Sequence, residues 1–216
     1  MRAALAALCL TALTAGAAFA ADGGKEQIHF NAADQASARR AVTARADLGS
    51  GAWTGGLRKP DLSAAQTCAN FHPKQSDLVL TGAAESEWND NVLRLQTEAQ
   101  ILKTPAMVAA DWRRTVLARG AIPCMESHLV KELGAGVTFV SFRRVLFPPV
   151  ATNAQAFVLL SDVKTATQKV RVAIEVVLIG RGRTELTIVS TVQNALQKVV
   201  ALADVQLARA LVARST

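Results

Sequence analysis

The chain has 216 residues, half of them hydrophobic, and its 24 basic and 17 acidic side chains give a formal charge of +7. This length suits one domain with ample apolar material for a core. The basic residues are scattered and aromatic rings make up only 5% of the chain. That argues against a nucleic-acid surface, where basic residues cluster or alternate with stacking rings.

The chain begins like an export leader. Arg2 precedes a short apolar run from Ala3 to Ala15, and Ala18-Phe19-Ala20 fits the small-x-small rule of signal peptidase. Residues 1–20 are expected to be a signal peptide, cleaved after Ala20 or Ala21, and too short for a stable membrane span. The product is then secreted, with a flexible N-terminus over residues 21–30 and one domain over residues 31–216. Asn31 to Asp47 reads as an alanine-rich helix capped by Asn31 or Asp34. Gly55 to Pro73 reads as loop. Asp77 to Trp88 and Val92 to Leu102 form a strand pair around the turn Asn89-Asp90-Asn91. The second strand alternates Leu93, Leu95, Ala99 and Ile101 with Arg94, Gln96, Glu98 and Gln100, so its polar side is expected to face water. Thr104 and Pro105 open a helix that Gly120 stops. A shorter helix spans Pro123 to Leu133. Strands from Val137 to Phe147 and from Ala154 to Val163 follow.

The clearest pattern lies between Val170 and Val192. Val170, Val172, Ile174, Val176 and Leu178 occupy every second position and share one strand face. Leu186, Ile188 and Val192 resume the pattern after Gly180-Arg181-Gly182. A three-residue loop with Gly182 left-handed would oppose Leu186 to Val176 and Ile188 to Ile174. The reverse face would group Arg171 and Glu175 with Thr187 and Thr191, a mixed surface and the candidate ligand groove. Same-face charge pairing is the plainer account of Arg171 and Glu175. Arg181 and Arg183 are expected in water. A final helix from Ala195 to Val212, with Leu207 and Leu211 on its apolar stripe, is expected to cover the greasy face. The sum is an α+β domain: an antiparallel sheet of about six strands with helices packed on one face.

Chemistry is sparse. Cys68 and Cys124 remain after cleavage, and an exported chain meets oxidising conditions, so a disulfide between them is expected. The pairs Cys68-x3-His72 and Cys124-x3-His128 share one spacing, which leaves a Cys2His2 zinc site as the alternative. There is no Gly-x-Ser-x-Gly elbow. Glu85, Glu87 and Asp90 could supply the carboxylate pair of a glycosidase, although exposed turn acids are far commoner. No catalytic residue, cofactor or resident metal is expected.

A family resemblance adds to this. Ala46-Asp47-Leu48 leads to Trp53, then come Cys68, Trp112 with Cys124 after it, the late hairpin around Gly180 and the closing helix. In this order the chain resembles the PknH-like extracellular sensor domain of bacterial serine/threonine kinases and related secreted or lipoprotein modules, over most of its length after Phe30. The resemblance implies a bowed antiparallel sheet, helices on one side and a groove that takes a ligand. Those domains carry two disulfides, whereas Cys68 and Cys124 can make only one. The expectation is a secreted, non-enzymatic binding module for a small molecule or an anionic cell-envelope ligand. A secreted hydrolase with a site around His72 or His128 and a structural envelope protein are the alternatives.

Overall fold

A computed structural model describes residues 25–62, 68–90, 93–164, 168–193 and 197–215. The expected leader lies outside them. The elements run β1 (Gln27–Ile28), α1 (Ala32–Ala41), β2 (Thr54–Arg58), β3 (Val79–Asn89), β4 (Leu93–Leu102), α2 (Pro105–Thr115), α3 (Ala121–Glu132), β5 (Val137–Val145), β6 (Asn153–Lys164), β7 (Lys169–Arg181), β8 (Thr184–Gln193) and α4 (Gln197–Arg214). The strands form one sheet in the order β1-β3-β4-β8-β7-β6-β5, with β2 also paired to β3. β1 runs parallel to β3 and the other pairs are antiparallel. The domain is thus α+β with a mixed sheet. Among the described residues no helix is long and apolar enough to cross a membrane.

The two extra strands escape a periodicity search for physical reasons. β1 is two residues long, and β2 carries Gly55 and Gly56 in place of alternating side chains. Gly55 has φ 138° and lies so close to β3 that a Cβ would overlap the Glu87 carbonyl oxygen. Only glycine permits that approach.

The late hairpin has a different register from the expected one. β7 continues to Arg181, which pairs with Thr184, so the turn is Gly182-Arg183 alone. Leu186 therefore opposes Ile179, and Ile188 opposes Val177. The offset is three residues, an odd number, and an odd slip moves the partner set to the other face. Gly182 is left-handed as expected, with φ 58°. Arg183 is only partly in water and is paired with the protein. Its guanidinium meets Asp34 at the start of α1 (Nη2–Oδ2 2.6 Å) and donates to the Leu102 carbonyl (2.9 Å). Burial raises the Asp34 pKa, but the bonds from Arg183, Asn31 and Thr81 outweigh it and hold the carboxyl at about 2.

Helices pack on both faces of the sheet, not on one. Ala38, Ala41 and Val42 from α1 and its end and Ala208, Leu211 and Val212 of α4 share a core with Ala99, Val177, Ile179, Leu186 and Ile188. Trp112 and Val116 from α2 and its end and Met125 of α3 pack against Phe157, Leu159, Ile174, Val176 and Leu178 on the reverse face. Thus α4 does cover the hairpin, on the side opposite the Ile174–Leu178 set. Arg214 anchors α4 to Asp47 through two bonds of 2.8 Å, and Trp88 Nε1 donates to the Thr43 carbonyl at 2.9 Å.

α1 lies directly on β3 at Gly82, where a Cβ would overlap the Asp34 carbonyl. Gly82→Ala is expected to lower stability by about 1–3 kcal/mol in urea unfolding, the usual cost of overpacking against backbone. Gly49→Ala, with nothing near the new methyl, should be close to neutral.

Candidate functional site

The face carrying α2 and α3 is apolar only over part of its width. On β4 this face holds Arg94, Gln96, Glu98 and Gln100, and on β8 it holds Glu185, Thr187, Val189 and Thr191, since Gln100 pairs with Glu185, Glu98 with Thr187 and Arg94 with Thr191. β3 adds Glu85 opposite Glu98 and Glu87 opposite Gln96. β8 is an interior strand, yet Thr187, Val189 and Thr191 are partly accessible, while Leu186 and Ile188 on its other side are buried. On this side β8 is therefore not fully sealed, and this partly accessible stretch is referred to below as the furrow. Trp112 and Met125 of the two helices stand on one side of it, over β6 and β7.

Residues 59–62 and 68–78, from the chain between β2 and β3, flank the other side. The Asp61 backbone N–H donates to Glu85, Leu62 packs against Leu78, Leu80, Leu102 and Val108, and Gln75 Nε2 donates to Asp111 Oδ1 at 2.7 Å. The polar side of β4, which periodicity alone would leave in water, is buried here with Asp61 close by: Gln96 and Glu98 are only 6% and 5% exposed. A disulfide between Cys68 and Cys124, with Cα atoms 5.7 Å apart, ties the segment to α3. Phe71 packs beside it on Ala121 and Cys124.

The floor is acidic and short of water. Burial raises the Glu98 pKa to about 7; the Gln100 amide, bonded at 2.8 Å, lowers it, and repulsion from Glu85 and Asp61 adds to the rise. Burial also lifts Glu26 to about 7, helped by Asp111 and Glu98. Glu85 is raised by burial. Glu185 is pushed well above the carboxylate range by burial and by the charge of Asp111. It keeps its proton and donates it to Asp111, which Gln75 and Thr115 also bond. Asp111 is itself raised by burial. The Glu185 Oε1 atom is buried with no hydrogen-bond partner among the described residues. Arg58 and Arg94 (3.1 Å) both meet Glu87, which neighbours these acids on β3; their charges also pull against the rise at Glu85, and burial lowers the pKa of Arg94. The arrangement can hold protons at neutral pH and can attract a cation as those protons leave.

The four residues expected to line one groove are divided by the hairpin register. Thr187 and Thr191 lie on the furrow floor. Arg171 and Glu175 belong to the odd-numbered set of β7 and so lie on the α1/α4 face, where Glu175 pairs with Ser190 and is buried. The partner of Arg171 is not Glu175 but Asp162 across the strand pair, with Nη2–Oδ2 at 3.2 Å. Glu26, Asp111 and Glu185 went unnoticed because they come from three distant segments. One signal was available: the polar sides of β4 and β8 become neighbours once those strands are paired.

The two C-x3-H pairs converge in part. Cys68, Cys124 and His128 bring their donor atoms within 4.8 Å of one another. His128 Nε2 lies 3.2 Å from Cys68 Sγ, and its Nδ1 is buried without a partner among the described residues. His72 is exposed and stands outside the group.

No family model and no curated protein matches the sequence. Solved structures similar to the chain include the following two. An uncharacterised protein from Mycobacterium smegmatis aligns with a TM-score of 0.45 at 12% identity, covering 82% of this chain and 95% of that one. A protein of unknown function from Pseudomonas aeruginosa, suggested to be a regulator, aligns with a TM-score of 0.31 at 9% identity, covering 72% of this chain and 94% of that one.

The buried acids dictate a pH dependence. A carboxyl whose pKa is higher in the fold than in the unfolded chain stabilises the fold fully below the unfolded value, and loses that contribution as pH rises through the folded one. Glu98, moved from 4.5 to about 7, therefore weakens the fold between those limits. Glu98→Gln is expected to gain about 3 kcal/mol over the parent at pH 7.5 and almost nothing at pH 4.5. Paired urea titrations at the two pH values measure this; an equal gain at both would exclude the charge as its cause.

Proposed function

We propose that the chain is a secreted, non-enzymatic binding module of the sensor-domain kind, and that it takes a small cationic ligand in the furrow along β8. One observation carries this reading: Thr187, Val189 and Thr191 of an interior strand are partly accessible beside a group of buried carboxyls. A sheet that only needed stability would seal that face with apolar side chains, as this one does over β7. The acids also redirect the expected ligand chemistry. An anionic envelope polymer would meet Glu85, Glu98 and Glu185 with Arg58 and Arg94 already committed to Glu87. An amine would find acceptors. Secretion rests on the leader-like residues 1–20. The hydrolase alternative draws no support from His128, whose near neighbour is a sulfur already bound in a disulfide, so no thiolate is free to attack.

Thermal unfolding of the mature protein against polyamines and amino sugars tests this. At a hundredfold excess over Kd a ligand should raise the midpoint by roughly 5–10 °C. The shift should grow from pH 5 to pH 8 as the acids ionise, and should shrink in Glu98→Gln. A panel in which no amine moves the midpoint, or in which sulfated polysaccharides move it instead, would sink the reading.

A further inference from the structure

The disulfide corner carries a second kind of site. Cys68 Sγ, Cys124 Sγ and an imidazole nitrogen of His128 already stand within 4.8 Å of one another. Cys68 is partly accessible, Cys124 is 3% exposed and His128 is half-buried. A tetrahedral zinc ion with Zn–S of about 2.3 Å and Zn–N of about 2.1 Å separates its sulfur and nitrogen ligands by roughly 3.6 Å. The observed 3.2 Å between His128 Nε2 and Cys68 Sγ is close to that spacing, so the ring needs little movement.

The imidazole gives the second observation. Its one polar neighbour is a disulfide sulfur, a weak acceptor at best, and its Nδ1 is buried without a partner among the described residues. A buried ring nitrogen is ordinarily accounted for by a hydrogen bond. This imidazole is held against sulfur instead, which makes sense if the sulfur and the ring share a task.

We infer that Cys68, Cys124 and His128 form a redox-gated binding site for a zinc-class divalent cation, closed by the disulfide and opened by a thiol reductant. The steps balance. A dithiol reductant delivers two electrons and two protons, the S–S bond breaks, and the reductant leaves as its own disulfide. The cation then displaces the two thiol protons and is held by two thiolates and the neutral imidazole nitrogen. A fourth position stays open, because His72 lies outside the group. Cys68 sits in the segment beside the furrow and Cys124 and His128 sit on α3, so the cation replaces the disulfide as the tie between the same two pieces of chain.

The test uses the full mature chain, reduced with a phosphine, freed of reductant without air, and titrated with Co(II) as the optical probe. The reduced protein should take up one Co(II) per chain, with a sulfur-to-cobalt charge-transfer band and the intense visible bands of a tetrahedral ion. Zn(II) should bleach them, and the oxidised protein should show neither. His128→Gln should weaken binding at least tenfold, while His72→Ala should leave it unchanged. Circular dichroism follows the fold throughout. A chain that unfolds on reduction and refolds with Zn(II) supports the site; one that stays unfolded with the metal present overturns it. So does a reduced, folded chain that takes no Co(II), or a His128→Gln variant that binds as tightly as the parent.

Discussion

Strand β7 has no wet face. Every residue from Val172 to Gly180 is buried, with α4 and α1 beneath one side and α2 and α3 above the other. Six of its aliphatic side chains, Val172, Ile174, Val176, Val177, Leu178 and Ile179, are buried. Together they represent on the order of 10 kcal/mol of gross burial, as much as the whole net stability of an ordinary domain. Placement of helices on both faces follows from this. A single layer could cover either the even set or the odd set, and the uncovered set would face water. The hairpin turn favours the same result, since Arg183 reaches from the turn to Asp34 and to the end of β4 and ties α1 to the sheet.

That demand is local, and the sheet changes character two strands away. On β4 the side under α1 is Ala99, Ile101 and Leu95, while the reverse side is Glu98, Gln100 and Gln96. α2 reaches this half through Val108, which packs with Leu80 and Leu102 near the ends of their strands. The segment between β2 and β3 brings polar groups of its own to it, Asp61 and Gln75. The described parts of this segment are held by Leu62, Phe71 and Gln75, and the covalent tie at Cys68 adds to them. Closing 56 residues of chain restricts the unfolded state by about 4 kcal/mol in the entropic model.

The legible parts of the sequence were those whose signal is local. Thr104 caps α2 and Pro105 opens it, Asn31 caps α1, and the long alternating runs are β4, β7 and β8. Export chemistry pointed to Cys68 with Cys124, and the bond is there. The errors came from features that local pattern does not encode. A strand apolar on both sides fits two registers that differ by an odd step, and Gly180-Arg181-Gly182 looks like a loop although Gly180 and Arg181 are still paired. Once the register moved, Arg171 and Glu175 left the face of Thr187 and Thr191. The acid floor was invisible for a related reason. Glu26, Asp111 and Glu185 become neighbours only when β1, α2 and β8 meet around β4, and nothing in the spacing of those segments announces it.

What remains is why buried acids would be kept at a cost. A carboxyl without a cation loses hydration that a hydrogen bond only partly restores, and Glu98, Glu185, Asp111 and Glu26 repel one another as well. Asp111 and Glu185 reduce the cost by sharing a hydrogen bond with the proton on Glu185, the economical state for two carboxyls in contact. That answer serves a resting fold. It also leaves a reserve of negative charge that appears only when protons leave, next to a strand that water can reach. On the proposed reading, stability and attraction for a cation run in opposite directions with pH, because ionisation that weakens the fold would strengthen the pull of the furrow. A ligand that supplies positive charge would remove the penalty at the same atoms that impose it, which couples occupancy of the furrow to firmness of the fold.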